Sequence, residues 1–524
     1  MIQEIELFLT PDQCSDNLLL KRSIARHLGV NIDHITGFEI LKKSIDARSR
    51  NIKFRFLVKA FTDEAFQPTQ IQIEFQNVSN AKEVHIIGFG PAGIFAALKL
   101  ITLGLKPIIF ERGKDVKTRR RDLAEINRNL KINPDSNYCF GEGGAGTYSD
   151  GKLYTRSNKR GNLQEILSLF VYHGASPNIL YEAHPHIGTN KLPQIVTSMR
   201  KTIESCGGEV HFNSRLTDVV TSFDKLLSFT INNDTKIIAN HVILATGHSA
   251  RDIFEMLHRK KIFIEAKPLA IGVRVEHPQH IIDEAQYKCS IRPDYLPPAS
   301  YSLVTQVEQT GVFSFCMCPG GIIAPAATNT GEVVVNGWSP SKRNGQFANS
   351  GLVVSINEKD YLKYTKQGPL ASLQYQKEVE QHCFHAAGDS IKAPAQRISD
   401  FLNNKFSNTL PECSYLPGLT SANINQVMPL EITSKLKIAL KDFSNKIKGY
   451  NSMDAIMVAT ESRTSSPVRI TRDDLTLEHV QIKGIYPCAE GAGYAGGIVS
   501  AAMDGQRVAE AIALKNHQGK TIMK

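Results

Sequence analysis

The chain has 524 residues, roughly three to four times the size of a typical single domain, so two or three structural units are expected. Hydrophobic residues make up 42% of it and charged residues 21%, values that exclude a small binding module and a largely disordered chain. The 61 lysines and arginines exceed the 51 aspartates and glutamates by ten, and this positive balance favours anionic partners, including phosphate-bearing cofactors.

Residues 1–80 are predicted to form a small α+β unit with the order β-α-β-β. Apolar residues alternate with polar ones over 5–9 and again over 51–61, and their spacing over 18–28 is helical. The stretch 42–59 holds seven basic residues and one acidic residue, which suits a phosphate backbone or a solvated strand face.

The amino-terminal segment and the cysteines indicate a cytoplasmic protein. The start, MIQEIELFLTPDQ, lacks the basic segment of a secretory signal, and no stretch reaches the roughly 18 apolar residues of a membrane span, so no membrane contact is expected. The nine cysteines are scattered and include no CxxC pair, which argues against a disulfide framework, a zinc knuckle and an adjacent redox disulfide. No metal site is predicted.

A glycine-rich turn between an apolar strand and an apolar helix predicts a dinucleotide-binding βαβ unit. The strand VHIIG leads into Gly88-Phe-Gly-Pro-Ala-Gly93, and Glu111 ends the next strand, PIIFE. The first glycine permits the tight turn, the second lets the backbone approach a pyrophosphate and the third allows close helix–strand packing, while the acidic residue can accept hydrogen bonds from the ribose. Further strands of this domain are predicted over 209–212, 227–231 and 241–247.

Two later segments resemble those of the two-dinucleotide-fold flavoproteins and favour FAD over NAD. The segment HVILATG, 241–247, looks like the ATG signature of that family, and 484–497 resembles its C-terminal segment, which holds the ribitol and pyrophosphate. A helix that begins at Ile498 would stabilise negative charge on a reduced flavin. Glu490 stands where most members have aspartate, which lengthens the reach of the carboxylate. A plain glycine-rich helix cap is the alternative interpretation.

A third glycine-rich segment, 137–156, narrows the resemblance. It has five glycines between Gly141 and Gly151, which suits close approach of the backbone. Together, FGEGGAGTYSDGKLYTR, CMCPGG, ATESRTSSPVRI and EGAGYAGGI resemble the FAD-utilising dehydrogenase family, over about residues 40–512. The resemblance implies that the loop wraps the pyrophosphate and flanks the flavin, whereas the loop taken alone could be a mobile surface lid. The cofactor-binding residues predicted in this way are Gly88, Gly90, Pro91, Ala92, Gly93, Glu111, Arg112, Gly143, Gly144, Ala145, Gly146, Thr147, Ser149, Asp150, Lys152, Thr246, Gly247, Glu490, Gly491, Gly496, Gly497 and Ile498.

The candidates for chemistry beyond the flavin are Cys316, Cys318, His184, His186 and Arg463. A thiolate near a flavin can form a covalent adduct or exchange electrons with it, although buried free cysteines often only pack. The histidines of EAHPHIGT suit a general acid or a structural turn. Arg463 suits an anionic substrate, the edge of the flavin, or a hydrogen-bond cluster that stabilises the fold.

These observations predict an α/β protein with three parts. A Rossmann-like FAD-binding domain is formed by 81–260 and 455–524, an inserted, mostly antiparallel α+β substrate domain spans 265–450, and the small α+β domain precedes both. Proline-rich and glycine-rich turns around segments such as AIGVRVEH and EVVVNGW indicate the inserted domain. It contains no motif that identifies the substrate, and nothing indicates the oligomeric state.

The leading hypothesis is an FAD-dependent oxidoreductase that transfers hydride through flavin N5. Only one GxGxxG, at 88–93, lies in a predicted βαβ unit, so NADH or NADPH would dock transiently, or an unknown small molecule would donate the electrons. Flavin monooxygenation ranks lower, because HSAR at 248–251 replaces the Gly-Ala-Asp-Gly of aromatic hydroxylases. A nucleic-acid-associated flavoprotein is the third hypothesis, weakened by the balance of ten basic and ten acidic side chains over 1–80. Its RNA contacts would be Lys42, Lys43, Arg48, Arg50, Lys53 and Arg55.

Overall fold

The structure is a computed structural model that describes residues 1–49, 51–68, 71–155 and 161–522, with side chains up to residue 516. In chain order, its strands and α-helices are β1 (Ile2–Leu9), α1 (Asn17–Leu28), β2 (Ile35–Asp46), β3 (Lys53–Thr62), β4 (Glu83–Ile87), α2 (Pro91–Thr102), β5 (Lys106–Phe110), α3 (Val116–Asn129), α4 (Leu163–Tyr172), α5 (Leu192–Ser205), β6 (Glu209–His211), β7 (Leu216–Ser222), β8 (Lys225–Ile231), β9 (Thr235–Ile238), β10 (Val242–Leu244), α6 (Arg251–Arg259), β11 (Glu265–Ala266), β12 (Leu269–Pro278), α7 (Gln279–Tyr287), β13 (Val304–Val307), β14 (Thr310–Pro325), β15 (Val335–Trp338), β16 (Phe347–Ile356), α8 (Ala371–Ala386), β17 (Ala393–Arg397), α9 (Ile398–Leu402), β18 (Leu419–Ser421), α10 (Ile424–Val427), α11 (Leu430–Lys446), β19 (Ile456–Glu461), β20 (Val468–Arg469), β21 (Ile485–Pro487), α12 (Ala489–Ala492) and α13 (Ile498–Ile522).

The N-terminal unit is an antiparallel sheet in the order β1-β3-β2 with α1 packed against it, which confirms the predicted order β-α-β-β. The side chain of Asp16 caps the first turn of α1, and Gly29 ends the helix in the left-handed conformation, with φ of +69°. The edge strand β2 also pairs outside its own sheet. The Lys43 N–H donates to the Tyr181 carbonyl at 2.8 Å, and the Ala183 N–H donates to the Lys43 carbonyl at 2.9 Å.

A five-stranded parallel sheet in the order β21-β10-β4-β5-β6 forms the Rossmann-like part of the fold. The helices α2, α5 and α13 share an apolar core with one of its faces. The predicted strands at 209–212 and 241–247 lie in this sheet. The one at 227–231 belongs to β8, which lies between β7 and β9 in a separate antiparallel sheet. The largely alternating exposure of β8 is typical of such a one-sided sheet.

An eight-stranded, mostly antiparallel sheet has the order β13-β14-β16-β12-β19-β17-β18, with β15 paired to β14. It confirms the antiparallel character predicted for the inserted region. Its strand β19 corrects the predicted boundary, because it lies between β12 and β17, so the chain leaves this sheet after Glu461 and not at 455. The strand is buried along its whole length, and its sequence therefore looks like that of a parallel strand.

The N-terminal sheet and the eight-stranded sheet contribute to one apolar core, and the parallel sheet has a further core on each face. Across the described ranges, no helix is both long enough and apolar enough to cross a bilayer. The turns that follow β4, β10 and β21 meet residues of the eight-stranded sheet around one cavity.

Candidate functional site

The cavity has a volume of about 360 Å³ and lies at the carboxyl ends of β4, β10 and β21, where open parallel sheets bind nucleotides. The part lined by the turns after these strands is termed the nucleotide end. The part lined by Phe315, Cys316, Asn336 and Trp338 is termed the sheet end. Eighteen of the 22 predicted cofactor-binding residues line the cavity, namely Gly88, Gly90, Pro91, Ala92, Glu111, Arg112, Gly144, Ala145, Gly146, Ser149, Asp150, Lys152, Thr246, Gly247, Glu490, Gly496, Gly497 and Ile498.

Four predicted cofactor-binding residues are not among the described residues that line the cavity, namely Gly93, Gly143, Thr147 and Gly491. Their contact with the cofactor stays a prediction, and the structure shows how three of them, Gly93, Gly143 and Thr147, shape the backbone around the cavity. A Cβ at Gly93 would collide with the Gly88 carbonyl oxygen, so this glycine allows α2 to pack against β4. Gly143 has a φ of +79°, and the Thr147 hydroxyl donates to the Glu142 carbonyl at 2.7 Å, which closes the turn between them.

The helices α2 and α13 both begin at the nucleotide end. α2 starts at Pro91 after an extended Gly90, and α13 starts at Ile498. The N–H groups of a first helical turn lack intrahelical partners and carry partial positive charge, so both helix ends suit a pyrophosphate or a reduced flavin. The helices pack closely because a Cβ at Gly505 would collide with the Ala92 carbonyl oxygen. Sequence reasoning missed Gly505, which lies in no motif.

The nucleotide end fits a dinucleotide such as FAD. A Cβ at Gly496 would have no neighbour within 4 Å among the described atoms, so the backbone there borders open space. A Cβ at Gly144 would lie 3.1 Å from the Gly90 Cα, which shows that two glycine-rich loops approach each other beside the cavity. The Thr246 Oγ1 is buried and has no hydrogen-bond partner in the described part of the chain, as expected for a group that bonds to a ligand.

Glu111, predicted to bind the ribose, lines the cavity and also holds the backbone around it. Its Oε2 accepts a hydrogen bond from the Phe89 N–H at 2.9 Å, and its Oε1 accepts from the N–H groups of Gly113 at 2.9 Å and Gly141 at 2.8 Å. These bonds join the turns after β4 and β5 to the loop that begins at Gly141. A carboxylate has about four acceptor positions, so the ribose contact is compatible with this arrangement and stays a prediction.

His248 and Glu490 form a polar pair at the nucleotide end, with the His248 Nε2 3.6 Å from the Glu490 Oε2. The His248 Nδ1 lies 3.3 Å from the Ser249 hydroxyl. Burial lowers the pKa of His248, and the negative charge of Glu490 opposes this effect. Sequence reasoning missed the histidine as a site residue, although its position directly after the ATG signature was a usable signal.

At the sheet end, Cys316 opens into the cavity from a bulge in β14, whereas Cys318 is buried and does not appear among the described lining residues. The φ of Cys316 is +46°, and Arg274 supports this left-handed conformation by donating from Nη2 to the Cys316 carbonyl at 2.7 Å. Burial raises the pKa of the Cys316 thiol although Lys152 opposes it, so the thiol is protonated at neutral pH. Of the two predicted cysteines, therefore, Cys316 is the one that a ligand can reach.

A charged group of Asp150, Lys152 and Arg343 borders the sheet end. Arg343 binds the Asp150 carboxylate through Nη2 at 2.6 Å and Nε at 3.2 Å. The Lys152 Nζ lies 3.3 Å from the Asp150 Oδ2 and 3.7 Å from the Cys318 Sγ. Burial alone would raise the pKa of Asp150, but the positive charges of Lys152 and Arg343 lower it to about 2, so this carboxyl is ionised.

Behind this group lies a fully buried ion pair. Arg274 Nη1 is 2.6 Å from the Glu461 Oε2, and the two side chains are 0% and 1% exposed. Burial lowers the pKa of Arg274, but the charge of Glu461 outweighs it and raises the value, while burial acts to raise the pKa of Glu461 itself. We take the pair as ionised, because a neutral Glu461 would leave the guanidinium without a counter-charge. Arg274 Nη2 also lies 3.5 Å from the Cys318 Sγ and so connects the pair to Lys152.

Arg463 lines the cavity, but its charge is neutralised within a buried cluster of two arginines and two glutamates. Its Nη2 lies 3.0 Å from Glu332 and 3.1 Å from Glu380, and Arg251 binds the same two carboxylates at 2.8 and 2.7 Å. Burial raises the pKa of Glu380, but the two arginines outweigh it and lower the value to about 2. The cluster supports the structural alternative, and a contact of Arg463 with an anionic substrate or with the edge of the flavin stays a prediction.

His184 and His186 do not appear among the described residues that line the cavity. The exposed His184 ring packs on the Tyr154 ring, with the centroids 5.0 Å apart, and Tyr154 does line the cavity. His186 bonds through Nε2 to the Ser341 carbonyl at 3.0 Å, and burial lowers its pKa. Both positions fit the structural alternative, and a role of either histidine as a general acid stays a prediction.

Three of the basic N-terminal residues already contact other side chains of this chain. Arg48 pairs with Asp46, Arg55 pairs with Glu6, and the Lys43 ammonium lies over two aromatic rings of β3. Arg50, which was also predicted to contact RNA, lies outside the described residues. Nucleic-acid binding stays a prediction.

Comparisons with known proteins support the assignment of the chain to the flavoproteins. Residues 268–464 match the model "FAD-dependent protein, C-terminal domain-like", and residues 1–61 match a domain of unknown function. The chain is 40% identical over 514 residues to an uncharacterised protein of Clostridium beijerinckii, a match that covers 94% of this chain and 95% of the relative.

Solved structures to which the chain has a low similarity include flavin-dependent enzymes. The flavin-dependent brominase Bmp2 has a TM-score of 0.35 and 13% identity, covering 83% of this chain and 79% of its own. A mutant of the halogenase PltM in complex with FAD has a TM-score of 0.38 and 12% identity, covering 83% and 69%. The tetracycline destructase Tet(51) has a TM-score of 0.33 and 11% identity, covering 84% and 82%. Similarity at this level supports no conclusion about the reaction.

Proposed function

Since the chain belongs to a poorly characterised family of FAD-dependent proteins, we propose that it is an oxidoreductase in which FAD binds along the cavity and transfers hydride through flavin N5. The observation that carries this proposal is the meeting of two helix N-termini and two glycine-rich loops at the nucleotide end. When bound, FAD supplies two-electron chemistry that no amino-acid side chain provides.

The residues of the chain would bind and orient the cofactor. Backbone N–H groups at the starts of α2 and α13 would bind the pyrophosphate and the electron-rich edge of the flavin ring. Thr246 and Glu111 would bond to hydroxyl or phosphate oxygens of the cofactor, and Glu490 would bond to its ribitol. The flavin ring would then lie towards the sheet end, where Cys316 and Lys152 border the space left for a substrate.

The electron donor is either the substrate itself or NADH or NADPH that docks transiently. The test is an anaerobic visible spectrum of the purified protein before and after addition of each nucleotide. Bleaching of the flavin bands supports a nicotinamide-driven reductase, and persistent bands support a substrate-donated hydride. Rapid reoxidation by oxygen with incorporation of oxygen into a product would favour monooxygenation instead. A protein that binds no flavin after reconstitution contradicts the proposal.

Two substitutions at one position test whether FAD binds at the nucleotide end. Gly496→Leu adds a side chain where the structure leaves open space, so we expect the fold to tolerate it and the cavity to lose the volume that FAD needs. Gly496→Ala adds only one carbon at the same position and serves as the control. We expect flavin content to fall to background in Gly496→Leu and to stay near the wild-type value in Gly496→Ala. Equal flavin content in both variants would place the cofactor elsewhere.

A further inference from the structure

Among the five charged side chains at the sheet end, the positive charges outnumber the negative ones by one. Arg343 forms a bidentate pair with Asp150, and Arg274 forms a second pair with Glu461. Lys152 adds a third cation to these two anions, so the five side chains carry a net charge of +1. Charges in a protein interior are costly unless an opposite charge lies beside them. Lys152 shares the charge of Asp150 with Arg343 and can therefore accept a further anion.

The positively charged side chain of Lys152 lines the cavity. Its side chain is 36% exposed and lines the cavity, while its Nζ lies 3.3 Å from Asp150 and 3.7 Å from the Cys318 sulfur. Asp150 uses both oxygens for Arg343, so its charge is already shared. Three arginines also line the cavity. Arg112 and Arg463 each contact two carboxylates, and Arg215 contacts Asp135, which Arg112 also binds, at 3.4 Å. At the sheet end, Lys152 is the cation best able to bind an anion from within the cavity.

Asn336 adds neutral donors near this cation. Its Oδ1 accepts hydrogen bonds from the Gly337 N–H at 2.7 Å and from Arg274 at 3.5 Å. Both of these contacts use the oxygen, and this fixes the orientation of the amide, so its nitrogen can donate into the cavity that Asn336 lines. The remaining sheet-end lining includes the rings of Phe315 and Trp338. One ammonium, one amide and two aromatic rings suit a ligand with a single anionic group and an apolar body.

We propose that Lys152 and Asn336 bind the carboxylate of the substrate, and that Phe315 and Trp338 contact its apolar part. The substrate class is therefore a monocarboxylate with a flat or branched apolar body. This inference rests on the proposed function, because it concerns the substrate space beside the same cofactor. Asp150, Arg343, Arg274 and Glu461 position the two ligand-binding residues and do not contact the substrate themselves.

The test uses the flavin-loaded protein and follows the flavin absorption spectrum during titration with benzoate and with benzamide, a neutral molecule of similar shape. A charge-assisted hydrogen bond changes affinity by about 10-fold to 100-fold, so we expect benzoate to bind at least about 10-fold more tightly than benzamide. Lys152→Met should weaken benzoate binding by a similar factor and leave benzamide binding unchanged. Lys152→Arg should retain most of the benzoate affinity. Lys342→Met, which removes an exposed lysine beside Arg343, is the matched control and should behave like the wild type.

The outcomes separate this inference from the proposed function. A wild-type protein without a flavin spectrum overturns both. A flavoprotein that binds benzoate no better than benzamide, or neither of them, overturns the inference alone. Weaker FAD binding in Lys152→Met with unchanged benzoate affinity would assign the lysine to the cofactor. A thiolate absorbance at pH 7 that disappears in Cys318→Ser would provide the counter-charge within the protein and also overturn the inference. If Lys152→Met loses its flavin, Asn336→Ala takes its place, with an expected loss of about 3-fold to 10-fold in benzoate affinity.

Discussion

At the nucleotide end of the cavity the lining is mostly backbone, whereas at the sheet end it is mostly side chain. The nucleotide end is formed by glycine-rich turns and by the N-termini of α2 and α13, where backbone N–H groups are available to bind an anion. The sheet end depends on Lys152, Asp150 and Arg343, with the Arg274–Glu461 pair behind them. A site formed by the backbone is disrupted when a glycine is replaced by a larger residue. A site formed by charged side chains is disrupted when one of the charges is removed. The two ends should therefore fail in different ways when they are mutated.

The largest effect is expected at the sheet end, from Arg274→Met. The substitution leaves Glu461 buried without its counter-charge, which costs about 3–5 kcal/mol of unfolding free energy. Replacing both residues, as Arg274→Met with Glu461→Met, removes both charges and should recover most of that loss. Urea unfolding of the single and double variants measures the difference. A single variant as stable as the wild type would show that the pair is not ionised.

The nucleotide end could be predicted from the sequence because its residues are contiguous. Gly88 to Gly93 encode a turn and a helix start within six positions, and most of the residues predicted from such motifs do line the cavity. At the sheet end, the sequence identifies Asp150, Lys152 and Cys316 as candidates, but it does not identify Arg274, Asn336 and Arg343. These three residues lie far apart in the sequence from Lys152, and only the fold brings them together, so no local motif indicates them. The sequence did not identify His248 for a related reason. Its role in a polar pair depends on Glu490, which lies far away in the sequence and next to it in the fold.

The two large sheets behind the cavity each hold a buried histidine that affects acid stability, with an expected effect of up to about 3 kcal/mol. Burial lowers the pKa of His277, in the eight-stranded sheet, to about 4. The pKa of His241, next to the parallel sheet, is also about 4, through burial and the positive charges of Lys82 and Lys515. Each folded-state pKa is below the unfolded value near 6.5, so the stabilising contribution is complete above pH 6.5 and is lost as the pH falls towards 4.

The response to salt should distinguish the contributions of the two histidines to acid stability. We expect His277→Gln and His241→Gln each to flatten the loss of stability between pH 6.5 and pH 4, measured by urea unfolding at several pH values. Adding about 0.5 M salt should screen the lysine charges and reduce the contribution of His241, whereas the contribution of His277 comes from burial and should persist. An equal salt response of both variants would contradict the assigned causes.

The smallest expected effect on stability compares two glycines of the nucleotide end. Gly93→Ala places a Cβ against the Gly88 carbonyl oxygen and forces α2 away from β4, which costs about 1–3 kcal/mol. Because the same shift moves the N-terminus of α2, flavin affinity should fall along with stability. Gly496→Ala borders open space and should change neither quantity by more than about 0.5 kcal/mol. Thermal unfolding and flavin titration of the two variants provide the comparison. If both lose flavin without losing stability, the glycines act only through contact with the cofactor, and the close packing of helix and strand does not control the site.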